Sequence, residues 1–134
     1  ASILLCIQVM STDILHKLPV KIFIINNQYM GMVRQWQELL HDKRYSHSYT
    51  DALPDFVKLA EAYGAKGIRA TTPGELDKAI KEMIDYDGPV IFDCIVTENE
   101  NVYPMIPSGK AHNEMLLGNE SEKEEISEEG KVLL

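Results

Sequence analysis

Apolar and polar positions fall in blocks along this chain, and the period changes from block to block. Residues 7–18 carry Ile7, Met10, Ile14 and Leu18 at helical spacing. Pro19 closes that segment. Residues 20–25 are mostly β-branched and read as a strand. Residues 30–40 return to a helical pattern, with Met32, Val33, Trp36, Leu39 and Leu40 apolar and Gly31 at the opening. Residues 41–51 are polar and aromatic without a period, which predicts a loop. Residues 55–63 form a helix: Pro54 stands at its start, Phe56, Leu59, Ala60 and Tyr63 make the stripe, and Gly64 stops it. A short strand follows at 67–70. Thr72-Pro73-Gly74-Glu75 has capping-box spacing with Pro at the first helical position. The helix it opens places Leu76, Ala79, Ile80, Met83 and Ile84 on one face and ends near Asp87-Gly88. PVIFDCIV at 89–96 is the last strand. Residues 99–109 are loop, ending among Pro104, Pro107 and Gly109, and 113–117 predict a final helical turn.

Strands alternating with helices predict an α/β layer architecture with a mostly parallel sheet. The sequence supplies only three strands. A parallel sheet is normally covered on both faces, and its edges need partners. The expectation is therefore the C-terminal part of a larger domain.

Charge sharpens this picture. The 134 residues carry a net charge of −8, with no basic cluster to track a phosphate backbone, which argues against a nucleic-acid partner. Half of that charge comes from residues 119–134, where Glu120, Glu122, Glu124, Glu125, Glu128 and Glu129 face only Lys123 and Lys131. That stretch reads as a solvated, flexible tail or as a short exposed helix touching a neighbouring subunit. No apolar run approaches the ~20 residues of a membrane helix. The N-terminal ASILLCIQVM lacks the basic start and cleavage site of a signal peptide. It does not begin with Met, so a fragment or a processed product is expected. Cys6 and Cys94 read as two buried free thiols in a reducing compartment.

The candidate chemistry lies at Asn26-Asn27. Ligands of parallel sheets bind at the strand carboxyl ends, and two amide oxygens there suit a hard cation. The pair is equally compatible with a plain strand-end turn, because Asn tolerates left-handed backbone. Met32, Val33 and Trp36 fit a core stripe as well as a binding face. Residues 102–109 fit a Pro-stiffened surface loop. Arg34 fits solvated surface or a carboxylate contact. His16, His41, His47 and His112 lack ligand spacing, and no nucleophile–base pair is apparent.

The run Asn26-Asn27-Gln28-Tyr29-Met30-Gly31-Met32-Val33-Arg34-Gln35-Trp36 resembles the thiamine-diphosphate enzymes of the acetohydroxyacid synthase (acetolactate synthase) group. So do Arg44-Tyr45-Ser46-His47, residues 54–60, Gly64-Ala65-Lys66-Gly67 and residues 102–109. The resemblance covers residues 1–118, leaving 119–134 as the acidic tail. It implies a partial three-layer thiamine-diphosphate-binding fold. It makes Asn27 a side-chain ligand of Mg²⁺ and Tyr29 a main-chain ligand. It brings Gly31 and Met32 to the cofactor, and it puts Met32, Val33, Trp36, Ser108 and Gly109 on the substrate channel. Ala1 and Ser2 resemble the residues that follow the family's acidic metal ligand, so they join the cofactor contacts and the acidic ligand is expected just ahead of Ala1. Residues 4–6 and 9–10 depart from the family's wording.

The activity implied is decarboxylation of pyruvate and transfer of its two-carbon unit to pyruvate or 2-ketobutyrate, in branched-chain amino-acid synthesis. Thiamine diphosphate and Mg²⁺ are the implied cofactors, with FAD in the parent enzyme but not on this chain. The resemblance assigns this chain no catalytic residue, since the cofactor carries the chemistry and an activating Glu comes from another domain. It implies a homo-oligomer, leaves a regulatory subunit open, and places the protein in the cytoplasm, or in a plastid or mitochondrion if eukaryotic. The chain alone is expected to be inactive. Two rival readings stay open: another thiamine-diphosphate carboligase or decarboxylase, and a non-catalytic assembly domain.

Overall fold

The most apolar strand sits in the middle of the sheet. In the computed structural model, which describes residues 2–118, β3 (Val90–Ile95) lies between β1 (Lys21–Asn26) and β2 (Lys66–Ala70). Both neighbours run parallel to it, with Lys21 and Lys66 each opposite Val90. Val90 to Asp93 are buried in succession, as a strand covered on both faces requires. On one face Ile68, Ala70, Val90 and Phe92 pack against Ala79 and Met83 of α5 (Pro73–Asp85). On the other, Ile91 packs with Met10, Phe56, Ala60 and Ala65. These come from α2 (Met10–Leu15), α4 (Phe56–Tyr63) and the turn into β2. Ala1 and residues 119–134 lie outside the described residues, and with them the cofactor contact expected at Ala1 and the acidic tail.

The chain opens differently from its periodicity. Helix α1 (Ser2–Cys6), a 3₁₀ turn (Ile7–Val9) and α2 replace the single helix expected at 7–18. Ile3, Ile7 and Ile14 reach the second core, which is why the helical path starts earlier. It also stops earlier. Lys17 takes a left-handed φ of 51°, and the steric demand of Pro19 keeps Leu18 out of helix. Cys6 is exposed and Cys94 only half-buried, both free, which corrects the expectation of two buried thiols. The inward positions of this segment are taken by Ile3, Ile7 and Met10, so Cys6 turns to solvent.

Two helices are closed by their own polar residues. Asp55 Oδ1 accepts the Val57 and Lys58 N–H groups at 3.0 and 3.3 Å, and Gly64 ends α4 with a left-handed φ of 83°. Glu75 Oε2 accepts the Thr71 and Thr72 N–H groups at 2.9 and 3.1 Å and so caps α5. Gly67 lets α4 press onto β2, since a Cβ there would lie 2.8 Å from Val57 backbone.

The caps couple stability to pH. The Lys58 N–H and then the Arg69 guanidinium hold the Asp55 carboxyl below its ordinary 3.8. The Thr71 and Thr72 N–H groups hold Glu75 below 4.5. Both carboxyls bind protons more readily unfolded, so their contribution is present above the unfolded values and is lost as pH falls through the folded ones. The melting temperature is expected to drop as pH falls from about 5 toward 3, and Glu75→Gln to flatten part of that drop. An unaltered profile in the variant would remove Glu75 from the acid response.

Residues 101–118 belong to a second compact unit. Met105 and Leu116 pair there as an isolated antiparallel bridge, and the last helical turn is a 3₁₀ turn at His112–Glu114, one residue earlier than expected. The Tyr103-Pro104 peptide is cis. Among the described residues no helix is long and apolar enough to cross a membrane.

Candidate functional site

Strand β1 ends in two successive Asx turns. Asn26 Oδ1 accepts the Gln28 N–H at 3.1 Å, and Asn27 Oδ1 accepts the Tyr29 N–H at 3.2 Å. Gln28 is left-handed at φ 59°, the conformation the sequence allowed for at the neighbouring Asn pair. The loop after α3 (Gly31–Leu40) braces this turn from outside. Thr50 N–H donates to Gln28 O and Met30 N–H to Ser48 O, both at 2.8 Å. The Tyr29 and Tyr49 rings meet edge to face at 5.0 Å. The expected loop at 41–51 is thus a clamp on the turn.

Helix α3 starts hard against Asn27. A Cβ on Gly31 would lie 3.1 Å from Asn27 Nδ2, so a side chain at position 31 would crowd the amide. One turn on, Arg34 is fully buried. Its guanidinium pairs with Glu38, donates to Glu100 O and lies 5.8 Å from the Tyr29 ring centroid. The choice between surface and carboxylate contact is settled as a buried carboxylate contact.

The opposite side of α3 is open. Met32 is 77% exposed, Val33 45% and Trp36 39%, too much for a core stripe within this chain. With Gln37, His41 and Arg44 they line a cavity of about 660 Å³. Gln37 was not singled out by sequence, His41 was read only as lacking ligand spacing and Arg44 only as part of a loop; the i+4 and i+8 spacing of Gln37 and His41 from Val33 was the available signal for the first two. Ser108 and Gly109 belong to the second unit, where Gly109 is left-handed at φ 79°. Ser2 begins α1. A smaller cavity, of about 400 Å³, lies at the carboxyl ends of β2 and β3.

A polar row crosses the sheet beneath the turn. Asn26 Nδ2 donates to Asp93 Oδ1 at 2.9 Å, Arg69 Nε donates to Asp93 Oδ2 at 3.0 Å, and Arg69 Nη2 reaches Asp55 Oδ1 at 2.8 Å. Burial works against the Arg69 charge, but the hydrogen bonds to Asp55 and Asp93 outweigh it and raise its pKa. The visible sign in sequence was a lone Asp inside the apolar PVIFDCIV run. Among the described residues no group of three or more His, Cys, Asp or Glu could hold a metal ion.

Two solved decarboxylases share this fold. A Rhodococcus jostii thiamine diphosphate-dependent 4-hydroxybenzoylformate decarboxylase superposes with a TM-score of 0.64 at 28% identity, over 75% of this chain and 18% of that one. Benzoylformate decarboxylase from Polynucleobacter necessarius gives 0.65 at 26% identity, over 72% and 18%. Sequence relatives are more similar. The acetolactate synthase large subunit of Cyanidium caldarium is 49% identical over 117 residues, 87% of this chain and 20% of that protein. The Haemophilus influenzae large subunit is 44% identical over 123 residues, 91% and 22%. The mitochondrial acetolactate synthase of Schizosaccharomyces pombe is 46% identical over 100 residues, 75% and 15%. The chain thus spans about a fifth of the length of these relatives. The family described as "Thiamine pyrophosphate enzyme, C-terminal TPP binding domain" matches residues 1–94. Because that match takes in β1, the Asn26-Asn27 turn, β2 and most of β3, the chain belongs to the thiamine pyrophosphate enzymes and is of their C-terminal TPP binding domain.

Proposed function

We propose that this chain is the C-terminal part of an acetolactate synthase catalytic subunit. The complete subunit would condense two 2-keto acids, pyruvate with pyruvate or 2-ketobutyrate, with loss of CO₂. The observation that carries the reading is the Asn26-Asn27 turn, set at a strand carboxyl end and packed against the glycine that opens α3. The relatives' names choose the synthase among the family's activities.

The donor set fits Mg²⁺ as part of a shared site. An amide oxygen has two lone pairs, and the Tyr29 N–H uses only one of those on Asn27. Mg²⁺ takes few protein oxygens and fills its octahedron with phosphate and water. Asn27 Oδ1 and Tyr29 O would hold the ion. Gly31 and Met32 would leave room for the cofactor's diphosphate or thiazolium, and Ser2 would border it. Thiamine diphosphate, when bound, would supply the nucleophilic and electron-sink chemistry that decarboxylation of a 2-keto acid requires. The residues here orient it: the double Asx turn fixes Asn27, and the 48–50 clamp holds Tyr29 and Gln28. Met32, Val33 and Trp36 would form an apolar wall that excludes water. FAD would bind outside these residues.

Larger surroundings are supported by the open face of β1. Phe23 and Ile25 are exposed, Ile25 at 70%, where a covering layer is expected. Assembly into a homo-oligomer, with a regulatory subunit in some systems, is part of the same proposal.

Titration calorimetry on the complete subunit tests it. Thiamine diphosphate should bind saturably only with Mg²⁺, and pyruvate alone should yield acetolactate. Preference for benzoylformate without carboligation would move the protein to the decarboxylases. Absence of cofactor binding would favour an assembly domain.

Trp36 gives a sharper check of the channel. Trp36→Leu is expected to leave stability within about 1 kcal/mol, as for a tolerated surface change. It should alter the choice between keto-acid acceptors and weaken planar aromatic inhibitors. A core role predicts a loss of roughly 3–5 kcal/mol with selectivity kept. Melting curves and acceptor competition on one variant decide.

A further inference from the structure

We infer that Asp93 is a positioning residue for the Asn27 turn, acting through the side chain of Asn26. The inference rests on the proposed function, since it concerns the Mg²⁺ requirement of that site.

Asp93 is 1% exposed, in the central strand, next but one to the core residue Ile91. A buried carboxylate is costly unless both oxygens are satisfied by donors. Both are: Oδ1 by Asn26 and Oδ2 by Arg69. The strand order β1-β3-β2 brings Asn26, Asp93 and Arg69 into one row across the sheet. Asp55, the N-cap of α4, ends the row.

The row terminates at the proposed metal turn. Asn26 uses both ends of its amide. Its Nδ2 donates to Asp93, and its Oδ1 accepts the N–H of Gln28, the left-handed residue between Asn27 and Tyr29. An amide held at one end by a buried carboxylate has its flip and its χ angles settled. Its oxygen is then aimed at the Gln28 N–H, and the residue on each side of Gln28 carries an expected metal ligand. Asp93 thus fixes the ligands without touching them. The α4 cap anchors the far end, because Arg69 joins Asp93 to Asp55.

A purely structural role for Asp93 would be to neutralise Arg69. The two roles separate in Mg²⁺ dependence. In the complete subunit, thiamine diphosphate binding is measured against free Mg²⁺ by calorimetry, with melting of the cofactor-free protein alongside. The forms compared are wild type, Asn26→Ala, Asp93→Asn and the double variant. Each single change is expected to raise the half-saturating Mg²⁺ about tenfold, the scale at which partners of metal ligands act. The double variant should need no more Mg²⁺ than the worse single, because both break one chain. At saturating Mg²⁺ the turnover should recover toward wild type.

An unchanged Mg²⁺ requirement in Asp93→Asn, or additive effects in the double variant, overturns the inference. If Asp93→Asn fails to fold, Asn26→Ala on the partly exposed turn carries the test, and an unchanged requirement there overturns it equally. Wild-type protein that binds no cofactor in Mg²⁺ would remove the proposed function itself. That outcome is distinct from wild type and variants binding alike.

Discussion

Asn27→Ala is expected to raise the Mg²⁺ requirement of the complete subunit about a hundredfold, the upper end of what loss of a metal-site group costs. At limiting Mg²⁺ the activity should nearly vanish, and excess Mg²⁺ should restore much of it. The physical ground is the small number of protein oxygens Mg²⁺ accepts, so that losing one leaves the ion to its waters and phosphates. The change also frees the Tyr29 N–H, which Asn27 Oδ1 now holds at 3.2 Å, a loss of about 1 kcal/mol on the scale of one hydrogen bond. Asn27→Asp keeps an oxygen at the same place and should keep Mg²⁺ binding. Cofactor titrations at several Mg²⁺ concentrations check both variants. An unchanged Mg²⁺ dependence in Asn27→Ala would take Asn27 out of the ligand set.

Arg34→Ala should produce the largest loss of local stability. Arg34 is wholly buried, paired with Glu38 and bonded to Glu100 O, and its truncation leaves a cavity, a carbonyl without that donor and a carboxylate without that cation. Removing one partner of a buried ion pair costs about 3–5 kcal/mol. Glu38 keeps some access to water, at 21% exposure, which puts the effect near the lower end. Hydrogen exchange at the amides of α3 should speed by about two orders of magnitude, the equivalent of about 3 kcal/mol. Exchange measures α3 directly, whatever the rest of a large subunit does on unfolding. Acceleration of less than about fivefold, worth roughly 1 kcal/mol, would mean that the guanidinium does not anchor the helix. Glu38→Gln should have a smaller effect, because Glu100 O and the packing around Arg34 remain.

Arg34 also shows where sequence reading ran out. A single Arg in an amphipathic helix has no periodic signature that separates a solvated face from a buried ion pair. Only the approach of the segment after β3 to α3, which supplies Glu100 O, made burial tolerable. The Asp93 row is similar. PVIFDCIV displayed a charge inside an apolar strand, but its partners lie on β1 and β2, and sheet order is not written in the spacing of any one strand. Cys6 went the other way. Free cysteines are usually buried, whereas the helical path turned Ile3, Ile7 and Met10 inward and left the thiol outside.

The elements whose ends are chemically marked were legible from the residues alone. Pro54 to Gly64 bracketed α4, and Thr72-Pro73-Gly74-Glu75 opened α5, because caps and left-handed glycines act within a few residues of one another. The three strands and the parallel α/β class followed from apolar runs alternating with helical stripes. The Asn26-Asn27 turn was recognisable because a strand end followed by a glycine-opened helix is a local pattern. Tertiary structure decided the rest: which strand is central, that Met32, Val33 and Trp36 face outward, that the 48–50 segment clamps the turn, and that Asn26, Asp93, Arg69 and Asp55 form one row. Each of these depends on contacts between residues far apart in the chain. Local propensity carries no information about such pairings until the sheet brings them together.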